Sequence, residues 1–148
     1  MKYSTLLLML FFTTNVLAQS TDTRINDKQS QSEVKITEIL KSSKAWDGSP
    51  LPSYPTKNPE ITILSYEIPA QTRLPMHKHP VINAGVALQG KLIVHTKAGK
   101  QLILNQGDSI VELVDKWHFG ENQGDIPVKL LMFYVGEVGV PLAIKEED

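Results

Sequence analysis

Three of the chain's four histidines lie in two short stretches, Met76-His77-Lys78-His79-Pro80 and Lys116-Trp117-His118-Phe119. In an extended backbone, residues two apart point to the same side, so His77 and His79 present their imidazoles together. A third imidazole from a distant strand, that of His118, would complete a nitrogen-rich nest for a first-row transition metal. Paired histidines of this spacing also occur in strands that bind nothing, so the spacing alone leaves both readings open. The chain has no cysteine, which excludes thiolate nucleophiles, disulfides and Cys-ligated zinc. Any metal must therefore be held by imidazole, carboxylate or amide oxygen.

Short strands must position these groups. Ile61–Ile68, Ala84–Leu88, Leu92–Thr96, Leu102–Leu104, Ile110–Val114 and Val128–Val135 are apolar or alternating runs, separated by turns rich in Gly, Asn and Pro. Such regular short strands predict an all-β barrel or sandwich. Upstream, Val34–Thr37 alternates as a strand would, and Ile39-Leu40 either extends it or begins a short helix. The stretch from Trp46 to Pro55 carries three prolines and reads as an irregular arm. Its Trp46, Leu51 and Tyr54 are expected to pack on the main body or on a second subunit.

The first eighteen residues have a lysine start, the apolar run Leu6–Phe12 and small residues at Val16-Leu17-Ala18. They read as a secretory leader cut near Ala18-Gln19, which implies a periplasmic or secreted protein without a membrane anchor. The expected organisation is a leader (1–18), a polar tail (19–32), an N-terminal strand and Pro-rich arm (33–58) and a barrel (59–145). At 148 residues with 41% hydrophobic content the chain has material for one packed core. A net charge of −1 with no basic block argues against nucleic acid as a partner. No glycine-rich phosphate loop is present.

The two histidine stretches, taken with their glycines, resemble the cupin family. Its first motif reads Gly, five residues, His-x-His, three or four residues, Glu, six residues, Gly; here His77, His79 and Gly90 match, while Gln71 and Asn83 replace the opening glycine and the glutamate. Its second motif reads Gly, five residues, Pro-x-Gly, two residues, His, three residues, Asn. Gly107, His118 and Asn122 match, while Leu113 and Asp115 replace the proline and glycine. The similarity runs from Ile61 to Val135.

The resemblance implies a double-stranded β-helix, or jelly-roll β-barrel, and usually a homodimer. It also implies a divalent iron, manganese, nickel, copper or zinc ion held by His77, His79 and His118. Asn83 stands where the family has a glutamate. It either offers a neutral amide oxygen as fourth ligand or does not ligate, and in both cases the ion keeps its full charge uncompensated there. Glu112 is the carboxylate nearest His118 in sequence and the only candidate general base. Whether it faces inward is open, because Val111 and Leu113 compete for the same buried face. Gly85 and Ala87 share strand parity with Asn83 and would leave room for a cavity, with Gln89 as a polar contact; alternatively they let a large neighbour pack. Asn122 is read as a turn cap and His95 as a solvent or interface residue. Gly90 and Gly107 are expected to need positive φ. Two functions follow: a metal-dependent, dioxygenase-like enzyme acting on a small organic molecule, or a non-catalytic barrel that binds a small ligand or metal.

Overall fold

The computed structural model describes residues 33–147. Its strands are β1 (Pro59–Ile68), β2 (Thr72–Arg73), β3 (His77–Lys78), β4 (Ile82–Gln89), β5 (Lys91–Thr96), β6 (Gln101–Asn105), β7 (Ser109–Val111), β8 (His118–Asn122), β9 (Val128–Glu137) and β10 (Ile144–Lys145). No helix occurs among the described residues. One sheet has the order β1-β9-β4-β7; the other runs β10-β3-β8-β5-β6, with β2 also paired to β8. All ladders are antiparallel. The regular short strands predict an all-β barrel or sandwich, and the two sheets form the jelly roll that the family resemblance implies.

Period-two alternation builds the core. Along β9, Leu130, Met132 and Tyr134 are buried, and Ile68, Leu92, Val94, Leu104 and Ile110 join them in one cluster between the sheets. Burying side chains of this size contributes about 1.5–3 kcal/mol each. Turn chemistry sets the register. Gly90 and Gly107 have φ of 78° and 89°, the left-handed region expected of them. Gln71 and Asp115, which occupy glycine positions of the two motifs, keep the same backbone with φ of 54° at each. Asn122 fastens the turn between β8 and β9. Its Nδ2 donates to the carbonyls of Ile68, Pro69 and Ile126, and its Oδ1 accepts from Gly124 N–H.

The N-terminal segment departs from expectation. Val34–Thr37 forms no strand, and Val34, Ile36 and Ile39 are exposed. Alternation favours a strand only where an edge is available to pair with, and here none is taken. Within the arm, Trp46 does dock: it packs against the core, and its backbone N–H donates to Val111 O at 3.0 Å. Tyr54 does not pack on the main body and is exposed, which leaves the second subunit as its expected partner. The leader and the polar tail lie outside the described residues.

Candidate metal centre

His77 and His118 are register partners across β3 and β8, so their side chains leave the sheet on one face. His79, two residues on, joins them. The ring centroids lie 4.5 to 5.1 Å apart, and one ligand nitrogen from each residue falls within 4.8 Å of the others.

The opposite side of each ring is tied down. Nδ1 of His77 bonds to Pro75 O at 2.9 Å, that of His79 to Leu142 O at 2.7 Å, and that of His118 to Lys116 O at 2.8 Å. A carbonyl can only accept, so each Nδ1 carries the hydrogen and each Nε2 keeps its lone pair. Nε2 of His118 is buried with no hydrogen-bond partner among the described residues. Burial also holds all three imidazoles below their ordinary pKa, that of His79 at about 4, and the neighbouring rings add to the effect for His77 and His79. Three neutral, pre-oriented nitrogen donors converging on a point with no hydrogen-bond donor of their own fit a divalent cation.

Beside them opens a cavity of about 200 Å³. Its wall is mostly apolar, with Leu92, Val94, Leu130 and Met132 among the lining residues. The polar exceptions are the histidines, Glu112, and Tyr66 and Tyr134, whose hydroxyls are 2.9 Å apart. Burial and the Tyr66 hydroxyl raise the Tyr134 pKa, so the phenol stays protonated.

Glu112 faces inward. It is 8% exposed, lines the cavity and sets Oε2 3.6 Å from His118 Nε2. It shares the parity of the core residue Ile110, but the burial of Val111, Glu112 and Leu113 in succession hides that parity from the sequence. Burial pushes the Glu112 carboxyl up to about 7, opposed by the Leu113 N–H, by His77 and by the Trp46 indole.

Asn83 is fully buried on β4, on the face it shares with its register partner Tyr134. Its Oδ1 has no hydrogen-bond partner among the described residues, and its Nδ2 makes only a long bond of 3.5 Å to Val81 O. The cavity wall contains Glu112 but not Asn83. Nor do Gly85, Ala87 and Gln89 line it, and at Gly85 the alternative, room for a large neighbour, holds. The space in front of Gly85 is taken by Met132, whose sulfur would lie 2.1 Å from an added Cβ, and Gln89 spends its amide on Pro127 O.

His95 points away from the site. It stacks on Phe119 at 4.6 Å, with Nε2 3.4 Å from Glu121. The residues that sequence reasoning missed are Tyr66 and Tyr134. Their parity with Leu64, Ile68 and Met132 was readable, but nothing local marked them as neighbours of the histidines.

Residues 64–134 match the family model of the cupin domain. Comparison with curated proteins finds no significant sequence match. Among solved structures, the chain is similar to the DMSP lyase DddQ from Ruegeria pomeroyi DSS-3 (19% identity, TM-score 0.52, covering 68% of this chain and 49% of that one). It is also similar to the polyketide cyclase RemF from Streptomyces resistomycificus (15% identity, TM-score 0.51, covering 60% and 61%). A third is an uncharacterized conserved protein with a double-stranded β-helix domain from Klebsiella pneumoniae (17% identity, TM-score 0.51, covering 78% and 100%). The chain thus spans about half to three-fifths of the length of the two enzymes, and at these identities the likeness is one of fold.

Proposed function

Residues 64–134 are a cupin domain, and from that premise we propose that the chain binds a divalent transition metal through His77, His79 and His118 and acts as a dioxygenase-like oxidoreductase on a small organic molecule. The observation that carries this reading is the triad itself: three Nδ1 atoms engaged by carbonyls and three nitrogens left to converge beside an apolar cavity. Imidazole donors suit iron, nickel, copper and zinc, and an ion held there supplies Lewis-acid or oxygen-activating chemistry.

The chain's own residues supply the rest. The apolar wall excludes water and accommodates the carbon skeleton of a small guest, the cavity being smaller than a drug-sized pocket. The two tyrosine hydroxyls share one hydrogen in their mutual bond, which leaves the other free for a polar substituent of the guest. Glu112 is the one carboxylate among the residues that line the cavity. Two neighbours of like fold are a lyase and a cyclase, so elimination and ring closure belong in any substrate panel. The leader read at residues 1–18 supports action outside the cytoplasm.

Oxygen uptake by metal-loaded protein, with phenolic, enolic and thiol compounds, tests the reading. Uptake that depends on the metal and is lost in His118→Ala is expected. Binding of these compounds without uptake or any product would replace the enzyme by a ligand-binding module.

A further inference from the structure

We propose that Glu112 supplies the anionic ligand of the metal centre, delivered from the segment after β7, so that the carboxylate missing at Asn83 is restored from the neighbouring strand position. The proposal rests on the metal-binding reading above and deepens it.

Two lone pairs face each other at the centre. His118 donates its Nδ1 hydrogen to Lys116 O, so its Nε2 is an acceptor. Glu112 Oε2, another acceptor, stands 3.6 Å away. That separation is too long for a hydrogen bond, so a proton on the carboxyl does not bridge the two atoms, and the ionised carboxylate and the nitrogen lone pair repel. A cation between them removes the repulsion. Ligand bonds of about 2.0–2.2 Å place two donors of one ion roughly 3 to 3.6 Å apart, the separation seen here. His118 Nε2 has no other partner among the described residues.

The backbone explains how the carboxylate reaches this place. Glu112 N–H donates to Asn83 O at 3.0 Å, so the two residues sit side by side on adjacent chain segments. Asn83 lies on β4 beside its register partner Tyr134 and is not among the residues that line the cavity, whereas Glu112 lines it together with His77, His79 and His118. Glu112 keeps the parity of the core residue Ile110, so continued pairing past the end of β7 turns it inward beside Asn83, while Val111 stands in the outward row of Ala84 and Phe133. Charge completes the case. Three neutral imidazoles and an amide leave a divalent ion with its whole double charge in an apolar enclosure; one carboxylate halves it. A buried carboxylate without a cation is equally costly, so each stabilises the other.

Cobalt(II) titration of the metal-free protein, followed by the visible absorption of the bound ion and by chelator competition, tests this. Glu112→Gln is expected to weaken cobalt binding at least thirtyfold and to shift the absorption bands. Asn83→Ala should stay within threefold of the unaltered protein, and Glu112→Asp should fall between. The infrared difference spectrum of the unaltered protein with and without zinc should show a carboxylate stretch displaced on binding, a readout that needs no variant to fold. Unchanged affinity and bands in Glu112→Gln, or an undisplaced carboxylate stretch, would overturn the proposal and leave the three-histidine reading standing. A larger loss in Asn83→Ala than in Glu112→Gln would overturn it in favour of the amide. Failure of the unaltered protein to bind cobalt or zinc would overturn both readings.

Discussion

Each imidazole of the centre is held at one nitrogen and bare at the other, and the holding atoms are all backbone carbonyls. The orientation of the site is therefore a property of the fold rather than of a second ring of side chains. Replacing His118 by Ala removes the most buried donor and should lower metal affinity on the order of a hundredfold or more, measured by calorimetric titration. Tyr66→Phe removes one hydroxyl of the tyrosine pair without touching the triad. It should leave metal affinity unchanged and weaken a polar guest about fivefold, the worth of one hydrogen bond of about 1 kcal/mol, measured by ligand titration of the metal-loaded protein. The triad was legible in the sequence because His-x-His and a distant His are a spacing, and spacing survives without coordinates. Glu112 was not, because apolar Val111 and Leu113 on either side are buried as well, and from the sequence either parity could face the core. The expected room at Gly85 failed for a related reason: parity gives a direction, but only packing says that Met132 already fills it.

At the scale of elements, the centre leans on segments that are remote in the chain. The C-terminal strand β10 pairs with β3, and just before it Leu142 O fixes His79. Removing residues 141–148 should weaken metal binding about tenfold to a hundredfold while leaving the two sheets folded, as read by titration and circular dichroism. On the other side, the arm is clamped by Lys116 and Asp47 at 2.5 Å, and Lys116 also carries the carbonyl that holds His118. Burial alone would raise the Asp47 pKa, but hydrogen bonds from Lys116 and Ser49 outweigh it and lower the pKa to about 2. A carboxylate depressed on folding stabilises the fold above its unfolded pKa of about 4 and loses that contribution as pH falls through the folded value. Asp47→Asn should thus be less stable than the unaltered protein at pH 7, with the difference closing between pH 4 and pH 2 in urea unfolding. The turns were readable as turns from their glycines. That Gln71 and Asp115 adopt the left-handed backbone of the glycines they replace was not, since neither side chain announces it. The unpaired segment near Val34 shows the opposite failure, a strand pattern with no edge to join.

At the scale of the whole molecule, the outward face of the β1-β9-β4 sheet is apolar. Ile61, Ile63 and Phe133 are 64, 54 and 41% exposed, and Ile63, Phe133 and Ala84 stand in one register row. A contiguous patch of this kind favours association, consistent with the homodimer expected from the family resemblance. Light scattering should find a dimer, and Ile63→Lys with Phe133→Lys should convert it to a monomer whose metal affinity is unchanged. A monodisperse monomer for the unaltered chain would remove the expectation. The two-sheet barrel was the most legible level of all, because alternation and turn residues recur along its whole length and no single misread strand alters the sum. The account's central claim is narrower: one divalent ion held at the histidine triad. Elemental analysis of the protein after supply of iron, manganese, nickel, copper and zinc tests it most directly, alongside the His77→Ala, His118→Ala double variant. Close to one equivalent of metal is expected in the unaltered chain and none in the double variant. No stoichiometric metal in either, or the same amount in both, would contradict it.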